Sequence, residues 1–196
     1  LDAPTKGIVI DGLTADRALT NTDTIYASWS GFADTLSGLS KYQYAVGRSI
    51  GASDVVDWTD NGLDTSITIK PSMDDANSYY VSVRAVDHVN NTSSPSTSNG
   101  VRADFLPPSI IDVSIEQQTT LPILSNTKIA FTLSEPVTDA SSHVISTLKD
   151  VVTDTLNLNI DKQMNSTTTI FLELTSPFTS GDELAVKING LTDLAG

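Results

Sequence analysis

Residues 79–85 read Tyr-Tyr-Val-Ser-Val-Arg-Ala. Tyr79, Val81, Val83 and Ala85 occupy one parity, and Tyr80, Ser82 and Arg84 the other. A strand turns successive side chains to opposite faces, so this run suits a half-buried β-strand and no helix. The same period recurs. Ile25, Ala27 and Trp29 alternate with Tyr26 and Ser28, Tyr42, Tyr44 and Val46 alternate with Lys41, Gln43 and Ala45, and Ile67 is spaced by two from Ile69. Gly, Asn, Asp, Ser and Pro separate the runs, as in antiparallel sandwiches.

Arg-Ala-Asp-Phe-Leu-Pro-Pro, residues 102–108, breaks the pattern. Two prolines stiffen a connection and cannot donate to a ladder. Alternation then restarts at Ile111, Val113 and Ile115, and again at Ile129, Phe131 and Leu133, a run expected to end at Glu135-Pro136. Later runs are Leu156 to Ile160, Thr168 to Leu174, and Leu184, Val186 and Ile188. Only Ser142 to Lys149 reads equally well as a short helix, a turn or a strand. A chain of 196 residues suits two domains of this kind. The expectation is an all-β chain of two antiparallel β-sandwiches, residues 1–104 and 105–196. Trp29, Tyr42, Tyr79, Val81 and Val83 are expected inside the first, and Ile129, Phe131, Leu133, Val186 and Ile188 inside the second.

Charge and composition exclude several classes. The net charge is −13, with seven Lys/Arg against thirteen Asp/Glu before residue 105 and four against eleven after it. No basic patch exists, so nucleic acid and anionic membrane are poor partners. No stretch approaches the ~20 apolar residues of a membrane helix. There is no cysteine, which removes disulfides, thiolate nucleophiles and zinc–thiolate sites. The only histidines, His88 and His143, fall in different expected domains. Gly-x-Ser-x-Gly, His-Glu-x-x-His and P-loop patterns are missing. Asp74-Asp75 and Asp182-Glu183 sit in expected turns, without the walled cleft that a glycosidase pair needs. The expectation is a chain with no catalytic residues.

The first half resembles a fibronectin type III domain. The resemblance rests on Trp29 at the end of a strand, on Tyr42-Gln43-Tyr44-Ala45-Val46, and on Met73 six residues before Tyr79 with Val81, Val83, Ala85 and Asp87 following. It implies a tyrosine corner at Tyr79, the ring packed and the hydroxyl bonded to nearby backbone. The second half is similar to bacterial Ig-like domains of surface-layer and other cell-surface proteins. Its markers are Phe131-Thr132-Leu133-Ser134-Glu135-Pro136-Val137 and Gly190-Leu191-Thr192-Asp193-Leu194-Ala195-Gly196. That family adds one more strand, which this sequence lacks. Leu1 to Thr5 look like a linker, so both ends read as cuts through a longer array.

These resemblances imply a secreted or cell-surface bacterial protein and a non-catalytic spacer or display segment, with neighbouring domains of the same chain as partners. The alternatives are an adhesion module binding a glycan or surface protein, or an accessory region of a secreted polysaccharide- or protein-degrading enzyme. Calcium is the one cofactor the acidic turns suggest, because it takes six to eight oxygens. The implied topology gathers Asp74, Asp75 and Asp104 at the exit of the first domain, with Glu135 and Asp139 as candidates to face them. It brings Asp34 near Asp87 at the other end. Solvated turn carboxylates are the competing reading. Tyr26 and Tyr80 are expected on opposite outer faces, with Trp58 near a turn, which disfavours a single aromatic platform.

Overall fold

The computed structural model describes residues 2–116, 128–139, 145–147, 158–159, 167–173, 184–186 and 191–195. The chain divides into two compact units, Leu1–Leu106 and Pro107–Gly196. Among the described residues every regular element is a strand. Among these described residues no helix is long and apolar enough to cross a membrane.

The first unit holds β1 (Ile8–Ile10), β2 (Leu19–Thr20), β3 (Ile25–Ser30), β4 (Leu39–Gly47), β5 (Val56–Asp60), β6 (Ser66–Ile69), β7 (Ser78–Asp87), β8 (Ser96–Thr97) and β9 (Val101–Ala103). One sheet runs β1-β3-β6, and the other runs β2-β9-β7-β4-β5 with β8 beside β7. Alternation decides which residues lie between them. Val9, Ile25, Ala27, Trp29 and Ile67 from the first sheet meet Tyr42, Tyr44, Val46, Tyr79, Val81, Val83, Ala85, Val101 and Ala103 from the second in one core. The unit is therefore sandwich-like, and the five side chains expected inside it are buried. Phe105, the first residue beyond the boundary placed from sequence, packs against this core.

Residues 11–18 carry the chain from the first sheet to the second. There β2 pairs with β9 in parallel, Leu19 opposite Arg102 and Thr20 opposite Ala103. The Arg102 N–H donates to the Ala18 carbonyl and the Asp104 N–H to the Thr20 carbonyl, both at 2.9 Å. The remaining pairings in this unit are antiparallel.

Tyr79 is fully buried. Its hydroxyl accepts the Asp74 N–H at 2.6 Å and points back at the Asp74 carbonyl at 3.5 Å. Tyr79→Phe keeps the ring and strands that amide, so it is expected to cost about 0.5–1.5 kcal/mol. A denaturant midpoint equal to wild type would show that the hydroxyl contributes nothing.

The second unit holds β10 (Ile110–Glu116), β11 (Lys128–Asp139), β12 (Ile145–Thr147), β13 (Leu158–Asn159), β14 (Thr167–Glu173), β15 (Leu184–Val186) and β16 (Thr192–Asp193). Its sheets are β10-β11-β14-β13, with β16 on β11, and the pair β12-β15. Phe131 lies opposite Val113 on β10 and Ile170 on β14. Phe131, Leu133, Val137 and Ile170 are buried. The side chains of Ile129 and Val186, and all of Ile188, lie outside the described residues.

The expected stop at Glu135-Pro136 is corrected by β11, which continues to Asp139. Pro136 has no N–H, and the register of β11 against β14 shifts between Thr132 and Val137. The strand then resumes against β16, Val137 opposite Asp193. The strand β12 resolves the three readings of residues 142–149 for 145–147, and the others lie outside the described residues.

Candidate functional site

The acidic turns serve the first unit's own backbone. Asp74 is exposed, and its Oδ2 takes the Arg48 Nη2 at 3.2 Å. Arg48 also reaches Asp54 Oδ2 at 3.2 Å, and its backbone N–H donates to Asp54 Oδ1 at 3.0 Å. Asp75 Oδ1 instead accepts the Phe105 N–H at 2.7 Å. Asp104 is half-buried and donates its N–H to Thr20. Asp74 and Asp75 thus direct their carboxylates to different partners. A cation shared by Asp74, Asp75 and Asp104 would have to draw the first two away from Arg48 and Phe105. The Arg48 pair is a solvent-screened surface contact that contributes little. The Asp75 bond fixes the point where the chain leaves β9.

Asp34 and Asp87 do come together, through Ser37. The Ser37 Oγ lies 3.0 Å from Asp34 Oδ2 and 2.8 Å from Asp87 Oδ2. Asp34 Oδ1 accepts the N–H groups of Leu36 and Ser37 at 2.8 Å. Bonds from the Ser37 backbone foremost hold its carboxyl below the usual range. Asp87 is almost fully buried at the end of β7. Its Oδ1 takes the N–H groups of Val89 and Asn91, and its Oδ2 takes the Asn91 side-chain amide, at 2.8–2.9 Å. Burial pushes its carboxyl up, but these donors and Ser37 together outweigh it and leave the pKa lowered. Both groups are anchored charges that shape loops, a role turn aspartates fill by bonding to nearby N–H groups. His88, in the same turn, is exposed. His143 and Asp182-Glu183 lie outside the described residues.

The outer face of the larger sheet carries the most connected polar chain. Trp58 lies within the short strand β5, two residues after the start of that strand and four before the turn at 62–63. The Arg84 guanidinium of β7 stacks on its ring at 4.1 Å. Arg84 Nε donates to Gln43 Oε1 at 2.9 Å, Gln43 Nε2 to Asp60 Oδ1 at 2.6 Å, and Lys41 Nζ to Asp60 Oδ2 at 2.7 Å. Lys41 and then Gln43 hold the Asp60 carboxyl below its ordinary range. Five side chains on three strands therefore satisfy one another. Tyr26 and Tyr80 lie in different sheets, as expected, and each has a local cover. Arg17 sits 5.6 Å over the Tyr26 ring, and the Tyr80 ring edge closes on Gly100. The outward rings form no joint platform.

No family model and no curated protein matches the chain. A search of solved structures returns the alpha-L-rhamnosidase from Dictyoglumus thermophilum at a TM-score of 0.40 and 13% identity, covering 91% of this chain and 28% of that one. The chain thus spans under a third of that protein's length, and a likeness this distant carries no argument about fold or activity.

Proposed function

We propose that the chain is a non-catalytic spacer or display segment of a larger secreted or cell-surface bacterial protein. In this reading it is a tandem of immunoglobulin-like sandwiches, the first of the fibronectin type III kind and the second of the bacterial Ig-like kind. Its partners are neighbouring domains of the same polypeptide.

The observation that supports a mechanical role is the parallel pairing of β2 with β9. Once β1 has come away from β3, a pull at the two ends of the first unit draws β2 toward its N-terminal side and β9 toward its C-terminal side. In a parallel pair those directions oppose each other along the strands. The bonds from Arg102 to Ala18 and from Asp104 to Thr20 then lie across the load and yield together, whereas a pair loaded at one end opens bond by bond. Asp75 holding the Phe105 N–H reinforces the exit of β9. The polar groups on the outer faces serve the unit's own packing, as a spacer requires.

Single-molecule pulling tests this. The first unit, Leu1–Leu106, is expected to give a discrete rupture releasing about 370 Å of chain at ~3.5 Å per residue. Arg102→Pro deletes the N–H that reaches Ala18 and is expected to lower the rupture force. A featureless extension, or a force unchanged by this substitution, would sink the reading. A glycan-array signal lost in Trp58→Ala would favour the adhesion alternative.

A further inference from the structure

We propose that Asp11 is a proton-operated latch: a proton on its carboxylate fastens the 11–18 crossover and the adjoining β2–β9 pair, and loss of that proton loosens them. The inference holds whether or not the chain carries load.

Asp11 follows β1 at the point where the chain leaves the first sheet. It is 1% exposed. Its Oδ2 accepts the Gly100 N–H at 2.7 Å. Its Oδ1 is buried and has no hydrogen-bond partner. An ionised carboxylate has lone pairs on both oxygens to satisfy, so a buried oxygen left open penalises the charged form. Placing a proton on Oδ1 removes that penalty and leaves the Gly100 bond intact.

The geometry ties this oxygen to the clamp. Gly100 directly precedes β9, at a φ of 96°. The Asp11 carbonyl accepts the Arg17 N–H at 2.6 Å, and its N–H donates to Asp16 Oδ1 at 3.0 Å. Asp16 Oδ2 in turn takes the Asn99 side-chain amide at 2.7 Å. The residue thus closes its own crossover loop and holds that loop against the turn leading into β9. Arg102 and Asp104 then bond to the strand that the loop delivers.

The charged and titratable neighbours are few. Asp16 of the crossover adds repulsion, and Arg17 lines the adjoining cleft with Thr20, Thr24, Tyr26 and Val101. Arg17 lies over the Tyr26 ring and forms no ion pair with Asp11. The turn before β9 contributes only Ser98, Asn99 and Gly100, none of which titrates.

Burial first, with repulsion from Asp16 added, pushes the carboxyl up to about 6 from an ordinary 3.8, against the opposing influence of the nearby Ser98 hydroxyl and the Gly100 N–H. The folded form therefore keeps a proton over a window in which the unfolded chain has lost it. The stabilisation is full below about pH 3.8 and is lost as pH rises through about 6.

The test uses the full chain. The Asp11 carboxyl carbon is titrated by NMR, and protection factors of the Gly100, Arg102 and Asp104 amides are measured from pH 5 to 7.5. A midpoint near 6 is expected, with protection falling about tenfold as pH rises. In Asp11→Asn the fall should vanish and protection should stay high. A wild-type midpoint near 4, which needs no variant to detect, would overturn the proposal. So would an equal pH dependence in Asp11→Asn, or protection that does not follow the Asp11 titration.

Discussion

Trp29→Ala is expected to cost the first unit about 3–5 kcal/mol. The side chain is 5% exposed and meets the Tyr42 ring edge-on, with centroids 5.8 Å apart. Tyr42 meets Phe32 in the same way at 5.6 Å, so the three rings fill one end of the core. The Trp29 Nε1 has no hydrogen-bond partner, so the alanine variant loses packing and no polar bond. Domains of this size have about 5–15 kcal/mol in total, and the substitution removes more than half of the lower figure. Trp29→Phe keeps a ring and deletes the unpartnered N–H, and is expected to cost far less. Trp58 is the only other tryptophan and lies in the same unit, so its fluorescence reports this unit's urea transition. A shift below about 1 kcal/mol would mean that the core closes around the gap.

The corresponding experiment in the second unit is Phe131→Ala, again with an expected loss of about 3–5 kcal/mol. Phe131 is 4% exposed, and its cross-strand neighbour Ile170 is fully buried. Cross-strand pairs of this kind hold a sheet together beyond their area. Its other neighbour, Val113 on β10, is 53% exposed. Val113→Ala should therefore shift stability by under about 1 kcal/mol, although it touches the same pairing. This unit has no tryptophan, so the readout is amide exchange at Ala130 and Ile170. Equal effects at Phe131 and Val113 would show that the register assigned to β10 and β11 is wrong.

Much of the first unit was legible because side-chain period and burial coincide. Tyr79, Val81, Val83 and Ala85 point inward along one strand, and every one of them is buried. The fibronectin type III resemblance, carried in part by Met73 six residues before Tyr79, implied a packed tyrosine near a backbone partner, and the hydroxyl does meet Asp74. Three features escaped for physical reasons. The β5 stretch Val-Asp-Trp-Thr-Asp carries polar residues on both faces, so no clean alternation announces it. The β2–β9 pair joins residues 83 positions apart through two residues on one side, and parallel pairing leaves no local pattern. Asp11 stands before a glycine, as a solvated turn residue would, and its burial comes from contacts distant in sequence, among them the Gly100 N–H. The acidic triplet Asp74, Asp75 and Asp104 shows the opposite case. Its carboxylates were conspicuous in the sequence, yet Asp74 and Asp75 are engaged separately by Arg48 and the Phe105 amide.

Ser37 sits between Asp34 and Asp87 with one hydroxyl proton and two carboxylate oxygens within 3.0 Å. A hydroxyl can donate to only one of them at a time. The junction therefore has two hydrogen-bond patterns of nearly equal geometry, exchanged by rotation about a single bond. Whichever carboxylate lacks the serine proton keeps its backbone N–H donors, Leu36 and Ser37 for Asp34 and Val89 and Asn91 for Asp87. Neither arrangement strands a charge, so the degeneracy adds entropy to the folded state at a place where order would ordinarily subtract it. Alanine at Ser37 would remove that freedom together with the bond, and threonine would retain the bond while restricting the rotor.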